Sequence, residues 1–356
     1  LKRIQNIQAL RGIAVISVIL THLIIAEMKF GGSGRFLSYI YPFRFFGVDM
    51  FFVISGFLMI AITRSKPEGP ARAFRFLYGR VSRIYPLYWI FTAAVLAVFI
   101  IRPEWVNSYQ DNRVNVLSSF LLIPERTLPM LIVAWTLIHE MYFYVMFFFF
   151  LLILKGRYFY CWISAWSIAI LTVNQSCDQN IPFIKLISHP LSYEFIAGCL
   201  LAKVYFSKDL KFNTKFLVLV PVAVTVIALI GSYSYYFTTG EVEIPSWYRL
   251  FIFGIPAFLV VSSMIYAEKN GFLLHRSLMF TGNFSYSIYL THVLTISAIA
   301  RIWSYFASDG IIDNIIMIPV IFVLTLYTGY LSYRIFEKTS DGSVEEIRPL
   351  TNLAIL

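Results

Sequence analysis

Residues 10–27 read LRGIAVISVILTHLIIAE, an apolar run of membrane length carrying two ionisable side chains, Arg11 and His22. Eleven positions on a helix amount to about three turns plus 20°, so both side chains share one face, roughly 16 Å apart along the axis. Such groups are costly at that depth unless they face protein or water, which makes the pair a functional candidate. The plainer reading makes Arg11 a snorkelling interface anchor and His22 a hydrogen-bonded packing residue.

Composition extends the membrane reading to the whole chain of 356 residues. Hydrophobic residues make up 59% and charged residues 13%, against about 25% charged in a soluble domain, and the mean hydropathy is +0.73. The polar gaps between apolar runs are too short to hold a separate soluble domain. At about 20 residues per crossing, ten spans are expected near 8–28, 46–63, 84–101, 130–153, 159–173, 192–206, 216–236, 249–267, 283–304 and 311–335. The fold class is therefore all-α, a polytopic membrane helix bundle, with a transmembrane domain over 1–340 and a short tail over 341–356. The first run lacks a small-residue cleavage site and is read as a retained span.

The net charge of +10 reports topology before anything else, and no nucleic-acid partner is expected. With the N-terminus cytoplasmic, 19 of the 29 basic residues fall in inside segments, including Lys2, Arg3, Arg64, Lys66 and Arg348. Both termini are then cytoplasmic. Cys161, Cys177 and Cys199 have no metal-ligand spacing and are expected to be free thiols, and no metal site is expected.

In that orientation Asp49, in FFGVDMFFVISGFLM, lies at the depth of His22. A carboxylate beside an imidazole fixes its tautomer and raises its basicity, as a general base requires. The alternative is a helix cap or a partner for Arg44. The next segment, ARAFRFLYGRVSRIYPLYW, interleaves Arg72, Arg75, Arg80 and Arg83 with aromatics. It suits either anionic lipid at an interfacial helix or a phosphorylated cytoplasmic ligand, since guanidinium forks match phosphate. Arg80 and Arg83 lead directly into a span and are the better ligand candidates. In AWTLIHEMYFYV, Glu140 is preferred to His139 for the cavity, because a lipid-facing carboxylate is the worse outcome. Glu194 is a third buried-carboxylate candidate. Ser285, Tyr289 and His292, at i, i+4 and i+7, form one polar stripe that lines a helix seam or a cavity. His189 and His275 carry no signal.

These segments resemble the membrane acyltransferase-3 family of sugar and polysaccharide acyltransferases. The resemblance rests on IQALRGIAVISVILTHL, FFGVDMFFVISGFLM, RVSRIYPLYW, AWTLIHEMYFYV and FSYSIYLTHVL, which occur in the family's order across nearly the whole chain. The opening is most similar to bacterial exopolysaccharide-modifying acetyltransferases. The resemblance implies ten core spans in the bacterial inner membrane and transfer from cytoplasmic acyl-CoA, acetyl-CoA by default, to a glycan or lipid-linked saccharide. It matches Arg11 and His22 to the family's arginine–histidine motif, Arg80 and Arg83 to its paired arginines, and Asp49 and Glu140 to its acidic positions. Some members carry an eleventh span and a fused hydrolase-like domain; the sequence ends at Leu356, and neither is expected.

The expected chemistry has the CoA phosphates on Arg80, Arg83 and Arg72 or Arg75, with the pantetheine arm passing Arg11. His22, oriented by Asp49, deprotonates a sugar hydroxyl, while Glu140, Tyr289 and His292 line the acceptor end. An acyl-histidine intermediate is the alternative. A glycan transporter or flippase stays open, although no internal repeat is visible, as does an acyltransferase acting on a protein or lipid. The outside loops 29–45, 102–127, 174–192 and 233–248 are expected to select the glycan.

Overall fold

The computed structural model describes residues 4–32, 35–37, 44–241, 243–307 and 311–338. Lys2, Arg3 and Arg348 and the tail 341–356 lie outside the described residues. The fold is all-α, with no strand among the described residues. Seven helices there are long and apolar enough to cross a membrane: Gln5–Phe30, Phe46–Thr63, Pro70–Ile101, Ala134–Ile153, Thr214–Thr239, Ser246–Lys269 and Ile311–Glu337. Helices also stand at the three other expected spans, at Phe159–Ser176, Ser192–Ser207 and Ser285–Trp303. The first two are short, and the third carries the polar stripe. Thr214–Thr239, Ile311–Glu337 and Pro70–Ile101 leave most of their apolar side chains uncovered, the surface expected of helices bathed in lipid.

The chain forms two compact units. The first runs up to Ile54 and resumes at Val204; the second is Ser55–Lys203. In the first unit α1 (Gln5–Phe30) is the element the others pack on. Its N-terminal amides are satisfied from 260 residues away: Glu268 accepts from Gln5 N at 2.9 Å and Asn6 N at 2.7 Å. A carboxylate there also answers the positive end of the helix dipole. The buried Asn6 amide donates to the Met264 and Phe272 carbonyls, each at 2.9 Å, and accepts from Leu274 N at 2.9 Å. At the other end Glu27, fully buried, accepts from Phe36 N and Leu37 N at 2.8 and 2.9 Å.

One turn along α1, Gly12 faces Gly282. A Cβ on Gly12 would lie 2.2 Å from the Leu278 carbonyl oxygen, and one on Gly282 only 1.8 Å from that of Gln8. Two glycines are what let these backbones meet.

The second unit begins with the last turns of α2 (Phe46–Thr63) and continues into α3 (Pro70–Ile101). Where the sequence suggests a separate interfacial helix before a span at 84–101, the structure has one helix of 32 residues, about 48 Å long. Pro70 starts it where a missing N–H costs nothing, and no breaker follows until Pro86, which it absorbs. The next helices are α4 (Val116–Leu121), α5 (Ala134–Ile153), α6 (Phe159–Ser176), α7 (Pro182–Ile187) and α8 (Ser192–Ser207). Three side chains of α3 close the carbonyl end of α4: Tyr85 and Trp89 donate to Leu121 O and Phe120 O at 3.0 and 2.9 Å, and Tyr88 donates to Ser119 O. The unit's core is aromatic, with Phe143 stacked on Phe195 at 4.3 Å and Phe150 on Trp162 at 4.6 Å.

The chain re-enters the first unit through α9 (Thr214–Thr239) and α10 (Ser246–Arg249), then a π turn at Leu250–Gly254 that runs into α11 (Ile255–Lys269). α12 (Arg276–Asn283), α13 (Ser285–Trp303) and α14 (Ile311–Ser332) complete it.

Candidate active site

In the first unit α13 packs along α1, and this seam brings His22 against His292. The rings meet edge to face with centroids 4.8 Å apart. His292 is fully buried and His22 half-buried. The His292 Nδ1 lies 3.1 Å from the Ile288 carbonyl oxygen. A carbonyl only accepts, so Nδ1 carries the proton and Nε2 carries the lone pair. That Nε2 is buried with no hydrogen-bond partner among the described residues. Tyr289 lies 5.7 Å from the His292 ring and 6.2 Å from Phe51 of α2. The stripe Ser285, Tyr289 and His292 is buried throughout. It is a helix seam, and His22 sits in it. Arg11 lies on the same helix as His22 and donates to Gln8 Oε1 at 3.3 Å.

Asp49 is fully buried, and the charge matched to it is Arg249. Its Oδ1 accepts from the Arg249 Nε at 3.0 Å and lies 2.9 Å from Nη2. Sequence reading gave Arg249 no role, because 200 residues separate the partners. Arg44, the alternative partner for Asp49, lies 3.2 Å from Glu243. The backbone links this group to His22: Thr21 Oγ1 donates to the Arg44 carbonyl at 2.9 Å.

The second unit holds the arginine segment and Glu140. Glu140 Oε1 accepts from Ser55 Oγ at 3.1 Å and from the Tyr144 hydroxyl, one turn on. Arg80 lies within the electrostatic reach of Tyr144, Arg83 and Glu140. Glu140 is thus tied to Arg80 through Tyr144, a residue that sequence reasoning passed over. Arg72, half-buried, and Arg75, exposed, stand nearer the start of α3, with Glu68 beside Arg72. Partial burial, then the Arg80, Arg75 and Arg72 guanidiniums, push the Lys66 ammonium below its ordinary range. A basin of four cations that perturb one another favours an anion.

His139 and His189 also meet edge to face, at 4.7 Å, with Trp135 against His139 at 5.8 Å. His189 Nδ1 accepts from Leu191 N at 3.3 Å. Glu194 is almost wholly buried on α8. No three His, Cys, Asp or Glu side chains gather as a metal site would need among the described residues.

The chain is 28% identical over 270 residues to the exopolysaccharide production protein ExoZ of Rhizobium meliloti (strain 1021), covering 72% of this chain and 77% of that protein. It is 24% identical over 370 residues to the O-acetyltransferase OatA of Staphylococcus aureus (strain NCTC 8325 / PS 47). That match takes in 94% of this chain and 56% of the longer protein, so the chain spans little more than half of OatA. No solved structure matches. The profile of the acyltransferase-3 family, described as an acyltransferase domain, matches residues 4–334, and the chain belongs to that family of membrane acyltransferases.

Proposed function

We propose that the chain moves an acyl group, acetyl by default, from acyl-CoA to a hydroxyl of an extracytoplasmic or lipid-linked glycan, with His22 as general base. The observation that carries this is the His22–His292 pair on the α1–α13 seam. The names of the relatives, an exopolysaccharide production protein and an O-acetyltransferase, support the same acceptor class. His22 takes the hydroxyl proton, and the oxygen attacks the thioester carbonyl. The C–S bond breaks, and the CoA thiolate recovers the proton from the imidazolium. Attack by His22 itself, through an acyl-histidine, needs the same residue. His292 offers a second lone pair at Nε2, so its part is to receive and orient the acceptor hydroxyl beside His22.

The CoA phosphates are assigned to Arg72, Arg75, Arg80 and Arg83 with Lys66, on the cytoplasmic side in the expected topology of ten crossings, and Arg11 to the pantetheine path. Glu140 acts on this region through Tyr144, holding Arg80 in place. Asp49 acts through Arg249.

The test is thioester cleavage and glycan acylation by the protein in lipid nanodiscs, with CoA binding read separately. Positioned acid–base groups contribute about 10²- to 10⁴-fold. His22→Ala is expected to lose at least a hundredfold in turnover with CoA affinity unchanged, and His292→Gln to raise the acceptor KM. Turnover within threefold of wild type in His22→Ala would remove His22 from the chemistry.

A further inference from the structure

Phe45 is held between two guanidinium groups, Arg44 at 4.3 Å and Arg249 at 4.4 Å from its ring centroid. The two cations have very different acids. Arg249 is paired with Asp49, and both side chains are buried, at 7% and 0% exposure. Arg44 is equally buried, at 5%, but its acid, Glu243, is 88% exposed. A guanidinium fixed in the protein is therefore met by a carboxylate that stands in solvent and leaves at little cost, since exposed ion pairs are weak. The Arg44 guanidinium is stacked on its ring partner, and the Thr21 bond holds its backbone carbonyl. Thr21 immediately precedes His22. The π turn at Leu250–Gly254 follows Arg249 directly, and such turns recur where a helix is shaped around a function.

We infer that Arg44 reads a carboxylate on the acceptor saccharide and that Glu243 occupies that carboxylate's place until the acceptor arrives. The acceptor class is then an acidic glycan, one bearing a uronate or an equivalent sugar carboxylate. Arg249, already matched by Asp49, does not compete for the ligand. A guanidinium fork suits a planar carboxylate in two parallel hydrogen bonds. The inference rests on the acyl-transfer reading only for calling the ligand an acceptor.

The experiment measures binding of a glucuronate-terminated oligosaccharide and of its carboxyl-reduced form to the full chain in nanodiscs, by calorimetry, with acyl-CoA cleavage assayed on the same preparation. Wild type is expected to prefer the acidic glycan at least tenfold. Glu243→Gln, a change at an exposed side chain, is expected to bind it about two- to fivefold tighter and the neutral form unchanged. Arg44→Gln is expected to abolish the preference. Equal affinity for the two glycans in wild type, or a Glu243→Gln variant that binds the acidic form no tighter, overturns the assignment. Inorganic phosphate displacing the acidic glycan at lower concentration than free glucuronate also overturns it, in favour of a phosphate site. Preference for the acidic glycan without thioester cleavage would sink the acyl-transfer reading and leave Arg44's role standing; cleavage without preference does the reverse.

Discussion

Asp49 can serve the protein in two ways, and the Asp49–Arg249 pair separates them. Both side chains are buried, and one carboxylate oxygen takes two guanidinium nitrogens at 3.0 and 2.9 Å. Asp49→Asn therefore leaves a buried guanidinium without its counter-charge, stacked on Phe45. Breaking such a pair from one side costs about 3–5 kcal/mol, whereas replacing both partners by neutral groups of similar volume is close to neutral. The double variant Asp49→Asn/Arg249→Met should then recover most of what either single change loses. Equilibrium unfolding in mixed micelles across the four proteins gives the coupling energy, expected to be about 2 kcal/mol or more. Turnover on the same four proteins separates the roles. If Asp49 serves only to neutralise Arg249, stability returns in the double variant and thioester cleavage returns with it. If Asp49 also orients His22, stability returns and cleavage does not. A coupling below about 0.5 kcal/mol would refute the reasoning, because it would make the pair no more than two independent neighbours.

Gly282→Ala should destabilise by about 1–3 kcal/mol, since its Cβ would meet the Gln8 carbonyl at 1.8 Å and neither backbone can yield. Gly79→Ala, with nothing within 4 Å of the added carbon, is the control and should gain about 0.5–1 kcal/mol in the same unfolding measurement; equal behaviour of the two would disprove the close approach. Lys66 gives a pH dependence. Its ammonium is held below its ordinary range by partial burial and by three arginines, and CoA phosphates bound there would raise it again. Affinity for CoA is then full below the free-state pKa and declines as pH climbs through the bound-state value. Lys66→Gln should flatten that alkaline decline, and an unaltered profile would place the phosphates elsewhere.

The spans were legible because an apolar run of about 20 residues has few other uses, and α1 and α2 stand where those runs predicted. The join between the arginine segment and the third span was not. Continuity across residues 70–101 depends on the absence of a breaker and on the toleration of Pro86, neither of which hydropathy measures. His22 was visible as a titratable group in an apolar helix, and His292 as part of a stripe. What sequence could not supply was their meeting, since periodicity sorts faces within one helix and says nothing about which helices share a seam. The same blindness missed Arg249 as a partner of Asp49. It also left His189 without a signal, although its ring lies against His139.

The first unit is discontinuous along the chain, and that has a consequence for biosynthesis. Ser55–Lys203 is contiguous and can complete its own contacts soon after it emerges. α1, made before the rest of its partners, has its amide cap on Glu268, its glycine partner on Gly282 and its histidine partner on His292. Through the synthesis of the second unit, α1 therefore waits for helices that follow it by more than 200 residues, with Arg11 and His22 unshielded by the protein surfaces that make them tolerable. A ribosome-bound chain halted before α13 holds a finished second unit and no histidine pair. The histidine pair is among the later contacts that the first unit acquires.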